Sequence, residues 1–243
     1  MGNFDTTSSL AIIALAALIH ASFQVSVSTL TLMSGHALGK KTAHGRLLRL
    51  VGSFIGGVGV ITLLLLSTAS FLFSQLFPYG TPMLIWAMVC GAIIGVAVAV
   101  WIYYYKQQRG TSLWIPRSIA NYLNDRSKAT KRPAEAFGLG LTSVLSEILF
   151  LFAPLLVASL VLIRLSPALQ LTGIALYVVI SLLPLLVFSA IIGGGRTLAR
   201  IQRWRESNKR FLQFSAGSAL FALGIYVYVE QVIVSGILAL GVQ

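Results

Sequence analysis

Carboxylates are nearly missing from this sequence: six Asp and Glu stand against 18 Lys and Arg in 243 residues. Charge of either sign is scarce, at 10% of residues, where a soluble domain carries roughly 25%. With 57% hydrophobic residues and a mean hydropathy of +0.87, there is too little polar surface to cover a water-facing globule. Cys90 is the single cysteine, which excludes an internal disulfide and a dithiol relay run by this chain alone. No proline precedes Pro78. No Walker loop, Ser-His-Asp pattern or pair of carboxylates is present, which argues against an enzyme. The apolar runs are continuous rather than alternating, which excludes a membrane barrel.

What is there is long stretches almost free of charge. Residues 6–39, 50–105 and 165–195 hold no Asp, Glu, Lys or Arg, 136–163 holds only Glu147, and 211–243 only Glu230. A membrane-spanning helix needs about 20 mostly apolar residues. The run 50–105 is long enough for two, separated by Phe77-Pro78-Tyr79-Gly80-Thr81-Pro82. The expectation is an all-α polytopic membrane protein with six transmembrane helices over 8–33, 47–76, 83–105, 136–163, 168–194 and 211–232. The first run follows Asp5 rather than a basic stretch, and it exceeds the roughly 7–15 residues of a signal-peptide core, so it reads as a span.

The positive charges sort themselves. Lys40, Lys41, Arg46 and Arg49 follow the first span, seven more lie between Lys106 and Arg132, and six lie between Arg196 and Arg210. Only Arg164 falls on the other side. The positive-inside rule makes that basic side cytoplasmic and puts both termini outside, in a plasma (inner) membrane. The net charge of +12 is accounted for by topology and by anionic lipid headgroups. No aromatic-interleaved basic motif speaks for nucleic acid.

The basic segment 106–135 separates two halves, 1–105 and 136–243, of three helices each. An odd count per half forces opposite insertion, the inverted-repeat plan of many transporters, whose sites lie near the midplane. Laying 19–25 over 142–148 puts His20 on Ser143 and Gln24 on Glu147. Each half then has two polar groups one turn apart on one face of its first helix. Within the basic segment, Trp114 to Leu123 reads as a short interfacial helix opened by Pro116, with Ile115, Ile119, Tyr122 and Leu123 on its apolar face. Gly52, Gly56 and Gly59, and then Gly91 and Gly95, mark close helix approach. Pro154 and Pro184 are expected to kink the fourth and fifth spans.

Glu147 is the most informative residue, an acid at mid-membrane, where it costs up to ~3.5 kcal/mol. It suits a proton-linked group, or a protonated acid tied down for packing. His20 and Gln24, with Ser22, Ser26, Ser28, Thr29 and Thr31, form a polar stripe on the first span. That stripe either lines a pathway or ties helices together. His36 and His44 sit in the following loop, and the three histidines lack metal-ligand spacing, so neither metal nor cofactor is expected. Glu230, near the outer end of the last span, and Cys90, among small apolar residues, read as structural.

The three-plus-three plan with short outer loops resembles the lysine-exporter superfamily and the membrane part of the CcdA/DsbD thiol-electron transporters. The resemblance rests on Phe137-Gly138-Leu139-Gly140-Leu141-Thr142-Ser143, Leu182-Leu183-Pro184-Leu185-Leu186, Gly217 and Gly224. It covers about 100 residues and implies a shared six-helix fold. The thiol transporters place cysteine beside proline in the first and fourth helices, where this chain has His20 to Gln24 and Ser143 to Glu147. A shared fold would therefore come without electron transport. The lysine-exporter type breaks its first helix early with proline and glycine, and here no proline is present, so no substrate is implied.

The expectation from sequence is a secondary transporter or exporter of a small solute or ion, with Glu147 as the proton- or cation-linked group and His20, Gln24 and Ser143 around it. The alternative is a non-catalytic membrane subunit or assembly factor that docks a partner protein, or a second copy, through its basic loops and segment 113–123. A redox scaffold borrowing a partner's thiols is a third reading.

Overall fold

A computed structural model describes residues 6–23, 25–38, 44–103, 116–193, 204 and 207–234. Among these residues every regular element is helical. The first half contains α1 (Thr6–Ser22), α2 (Val25–Leu38), α3 (His44–Leu76) and α4 (Met83–Tyr103). The short α5 (Arg117–Ala129) follows, and then α6 (Pro133–Leu145), α7 (Ile148–Leu162), α8 (Pro167–Gly193) and α9 (Lys209–Tyr228), which runs on into a π-helical turn at Val229–Val234.

Four helices are long and apolar enough to cross a membrane: Gly45–Leu76, Met83–Tyr103, Pro167–Ile192 and Arg210–Ile233. The 21 residues of α4 rise about 31 Å, the thickness of a hydrocarbon core. The first and fourth expected spans differ from the expectation, because each is a broken pair. Thr6–Ser22 and Val25–Ser34 meet at 47°, and Pro133–Leu145 and Ile148–Leu162 at 78°. Counting each pair as one span gives six, and otherwise the number is four. The 13 residues of α6 rise only about 20 Å and cannot cross alone.

The breaks contain neither glycine nor proline. At the first, the Ser22 hydroxyl donates to the carbonyl of Ile19 (2.6 Å) and the Phe23 N–H reaches back only three residues, to His20 (3.1 Å). At the second, the Ser146 hydroxyl donates to Ser143 (2.6 Å) and the Glu147 N–H to Val144 (3.0 Å). A serine that takes a carbonyl from the helix ladder, together with a tightened last turn, offers the backbone another way to end. Pro154 and Pro184, expected to kink, lie inside α7 and α8. The 78° bend falls ahead of Pro154, at Ser146–Glu147.

Contacts fix which ends lie together. The Arg46 guanidinium donates to the carbonyl of Lys131 (3.2 Å), which sets the starts of α3 and α6 side by side. Gln213 Nε2 donates to the carbonyls of Val100 and Trp101, both at 2.7 Å, which sets the start of α9 on the end of α4. At the opposite end the Arg164 guanidinium lies 5.0 Å over the Trp86 ring and donates to Gln231 (2.6 Å). The turn between α3 and α4 closes through Gly80 N–H to Phe77 O (3.1 Å), with Gly80 at φ 106°.

α3 packs along α6 and α8 along α1, while α4 pairs with α9 and α3 with α8. The α3–α6 contact is between backbones: a Cβ on Gly57 would overlap the carbonyl of Phe137, and one on Gly140 that of Phe54. Gly57 and Gly140 thus make the close approach expected of Gly52, Gly91 and Gly95, where an added Cβ would have no neighbour within 4 Å, while one on Gly56 or Gly59 would meet side chains at 4.0 and 3.2 Å. The exterior is apolar, with Leu64, Phe71, Leu84, Leu149, Leu171 and Phe214 all exposed. Polar groups including Ser143 and Glu147 are buried inside. This inversion of the water-soluble pattern is what lipid selects.

Candidate functional site at the helix breaks

The two breaks meet. α2 starts at Val25, and its first N–H, which no helical turn can satisfy, donates to Glu147 Oε1 at 2.8 Å. A carboxylate there sits at the positive end of the α2 dipole. One turn below, the Ser26 and Ser143 hydroxyls are 3.0 Å apart. Ser143 gives its proton to the Gly140 carbonyl (2.8 Å), so Ser26 is the donor between them. The rings of Phe23 and Phe150 stack with centroids 5.8 Å apart and close the site on its apolar side.

Of the residues expected from sequence, Glu147 and Ser143 come together, and they do so against Val25 and Ser26 of the other half. Glu147 is 3% exposed and Ser143 0%, so the acid lies inside the protein. His20 is also buried, but it turns to α8, where its Nδ1 is 3.1 Å from the Tyr177 hydroxyl. Gln24 lies outside the described residues. His36 belongs to α2 rather than to a loop, and α3 begins at His44. The side chains of both lie outside the described set.

Tyr177, fully buried in the first half of α8, was not singled out from the sequence. The signal was present: a tyrosine well inside a span, away from the interfacial belt where such rings gather. Among the described residues, no three His, Cys, Asp or Glu side chains group to hold a metal ion. Cys90 is buried. Ser34, Thr62 and Ser159, on α2, α3 and α7, are fully buried with hydroxyls that have no hydrogen-bond partner, which is costly unless something else satisfies them.

In the segment expected to hold a short interfacial helix the structure has α5, with Pro116 at its N-cap. Its inner side, Leu123 and Ser127, is buried where α5 packs on α2 and α6, so that face serves this chain itself. Ile119 is partly buried with them and Tyr122 is exposed, while Ile115 lies outside the described residues.

No known protein family, no characterised protein and no solved structure matches this chain.

Proposed function

We propose that the chain is a secondary transporter or exporter of a small solute or ion, built as six spans in two inverted halves, 1–105 and 136–243, joined by the basic segment 106–135. The observation that carries this reading is the meeting of two broken helices at their breaks, with Glu147 of one on the opening N–H of the other (2.8 Å). Broken helices whose half-helix ends face a midplane site are a recurrent transporter device.

Two further observations support the repeat. One offset, 123 residues, takes the end of α1 at Ser22 to the end of α6 at Leu145, and the start of α2 at Val25 to the start of α7 at Ile148. Exchanging the halves also exchanges the α3–α6 packing with α8–α1. In this reading the basic end is cytoplasmic and both chain ends are outside, in a plasma membrane. Protonating Glu147 removes the negative charge from the α2 terminus and weakens the tie between the halves. A proton taken up or released there is thereby coupled to their relative movement. His20, with Tyr177, and Ser143, with Ser26, line the path, and Gln24 is assigned to it by the alignment.

The burial of Glu147 and the completeness of the Ser26–Ser143–Gly140 chain favour one competing reading, a non-transporting membrane subunit whose polar residues tie helices together and whose basic loops dock a partner protein. The test is proteoliposomes holding a pH gradient and a pH-sensitive dye, challenged in turn with amino acids, carboxylates and inorganic cations. Transport requires that at least one solute collapses the gradient with the wild-type chain and that none does with Glu147→Gln, which elutes as a folded species. Equal collapse by both removes Glu147 from the mechanism. No collapse with any solute, together with stable co-purification of a second protein, replaces transport with the subunit reading.

A further inference from the structure

Between α5 and α6 lies a cavity of about 500 Å³ that opens beside the basic end, within the roughly 300–1,000 Å³ of ordinary ligand pockets. Its two ends differ in chemistry. One wall is a single face of α6, with Gly138, Leu141, Thr142 and Leu145 lining it at intervals of three and four residues. The Thr142 hydroxyl returns its proton to the carbonyl of Gly138 (2.9 Å), so this wall is apolar in effect. Leu145 is half exposed and is the last residue before the break.

The mouth holds Arg126, Thr130 and Glu135. Thr130 donates to the carbonyl of Arg126 (2.7 Å). The Glu135 carboxylate already accepts the N–H groups of Lys131 (2.8 Å) and Arg132 (3.1 Å), which caps α6. That leaves the Arg126 guanidinium, set 5.7 Å from the centre of the Tyr122 ring, as the donor a ligand meets. Lys128, Lys131 and Arg132 are exposed around it.

We propose that this groove binds a phospholipid, with its phosphate on Arg126 and an acyl chain laid along Gly138, Leu141 and Leu145. The argument is charge complementarity at one end and lipid-like surface at the other. Guanidinium groups are suited to phosphate oxygens through paired hydrogen bonds, and a cluster of basic residues beside a span draws anionic headgroups. A water-soluble phosphate ester would leave the leucine wall bare, and an uncharged amphiphile would leave Arg126 with only the nearby Glu135 carboxylate, which already accepts two backbone N–H groups. The site is separate from the meeting of the breaks and does not depend on what, if anything, crosses there.

Gly138 supplies a clean variant, since a Cβ added there meets nothing within 4 Å. Gly138→Trp therefore starts its side chain in open space on the groove wall, and the folding readouts check that the helix pair carries the ring. Arg126 is exposed, so Arg126→Glu reverses the mouth charge at the loss of a surface contact with the Tyr122 ring. The full chain is purified in detergent and incubated with phosphatidylglycerol, with diacylglycerol of the same acyl chains, or with glycerol 3-phosphate. Retained ligand is read by native mass spectrometry, and circular dichroism and elution profile report folding.

The expected result is one retained phosphatidylglycerol on the wild type, with neither diacylglycerol nor glycerol 3-phosphate retained. Retention should fall about tenfold or more in both Arg126→Glu and Gly138→Trp. Retention unchanged in both variants overturns the assignment. Diacylglycerol held as well as phosphatidylglycerol overturns the phosphate contact, and glycerol 3-phosphate displacing the lipid completely overturns the acyl groove in favour of a soluble ligand.

Discussion

At Ser22–Phe23 and again at Ser146–Glu147 a serine hydroxyl takes a carbonyl three residues back, the next N–H closes a three-residue turn, and a second helix starts. The outcomes differ: the first pair bends by 47° and the second by 78°. Only the second contributes an acid, and that acid serves the first pair by accepting the opening N–H of α2. At the position aligned with Glu147 the first half has the neutral Gln24. A site with one acid suits burial, because two carboxylates at close range in a poorly solvated site cannot both stay ionised. The two breaks are alike in their local hydrogen bonding and differ in bend and in charge.

The largest effects should come from the arms that support the breaks, and the comparison predicts that they are unequal. α6 is held against α3 by backbone contact at Gly57 and Gly140, and neither backbone can step aside. On α8, by contrast, a Cβ added to Gly173 would come 2.6 Å from the Leu162 Cδ2 of α7 and 3.1 Å from the Ile13 Cδ1 of α1, the ends of flexible side chains. Gly57→Leu or Gly140→Leu should cost more than about 3 kcal/mol, at or beyond the upper range of core overpacking, and should leave no monodisperse protein. Gly173→Ala should cost about 1 kcal/mol by thermal unfolding in detergent. A folded, fully stable Gly140→Leu would show that the α3–α6 contact is not close.

Next comes the acid itself. Glu147→Ala strands the first N–H of α2 and should cost about 1.5–3 kcal/mol, the range for hydrogen bonds to charged groups. Moving the charge tests the complementarity directly. Where the alignment of the halves is also a spatial one, Gln24→Glu alone adds a second acid near the first and destabilises, whereas Gln24→Glu combined with Glu147→Gln recovers part of that loss. The coupling expected is about 0.5–3 kcal/mol, read from the three melting curves. Strict additivity of the two substitutions would mean that the positions do not sense each other and that the alignment of the halves is not a spatial one.

Charge placement alone made the helical class, the α3, α4, α8 and α9 spans and the interior acid legible, because lipid penalises ionised groups and unsatisfied backbone so heavily that the exceptions stand out. Glu147 was identified from one letter in a run of 28. The breaks were not legible, since serines that back-bond to carbonyls look like ordinary polar residues in a helix, and the prolines that stand out in these spans, Pro154 and Pro184, lie elsewhere. The small-residue rule pointed to Gly52 and Gly91 and missed Gly57. Periodicity along one helix does not say which face the neighbouring helix takes, and only the partner backbones of Phe137 and Phe54 decide it. Tyr177 was missed for the same reason, because its role comes from His20 across 157 positions of sequence.

The smallest effect falls on the hydroxyl pair between the halves. Ser26 donates to Ser143, which donates to Gly140, so removing either hydroxyl removes one interhelical bond. In membrane proteins such a bond averages about 0.6 kcal/mol, because the unfolded chain in lipid finds other partners. Ser26→Ala and Ser143→Ala should each cost about that much, and the double variant little more than either. The cycle is informative despite its size, because it isolates a hydroxyl pair that joins α2 to α6 across the meeting of the breaks. If the double variant loses the sum of the two singles, Ser26 and Ser143 act independently. The tie between the two breaks would then rest on Glu147 and on the Phe23–Phe150 stack.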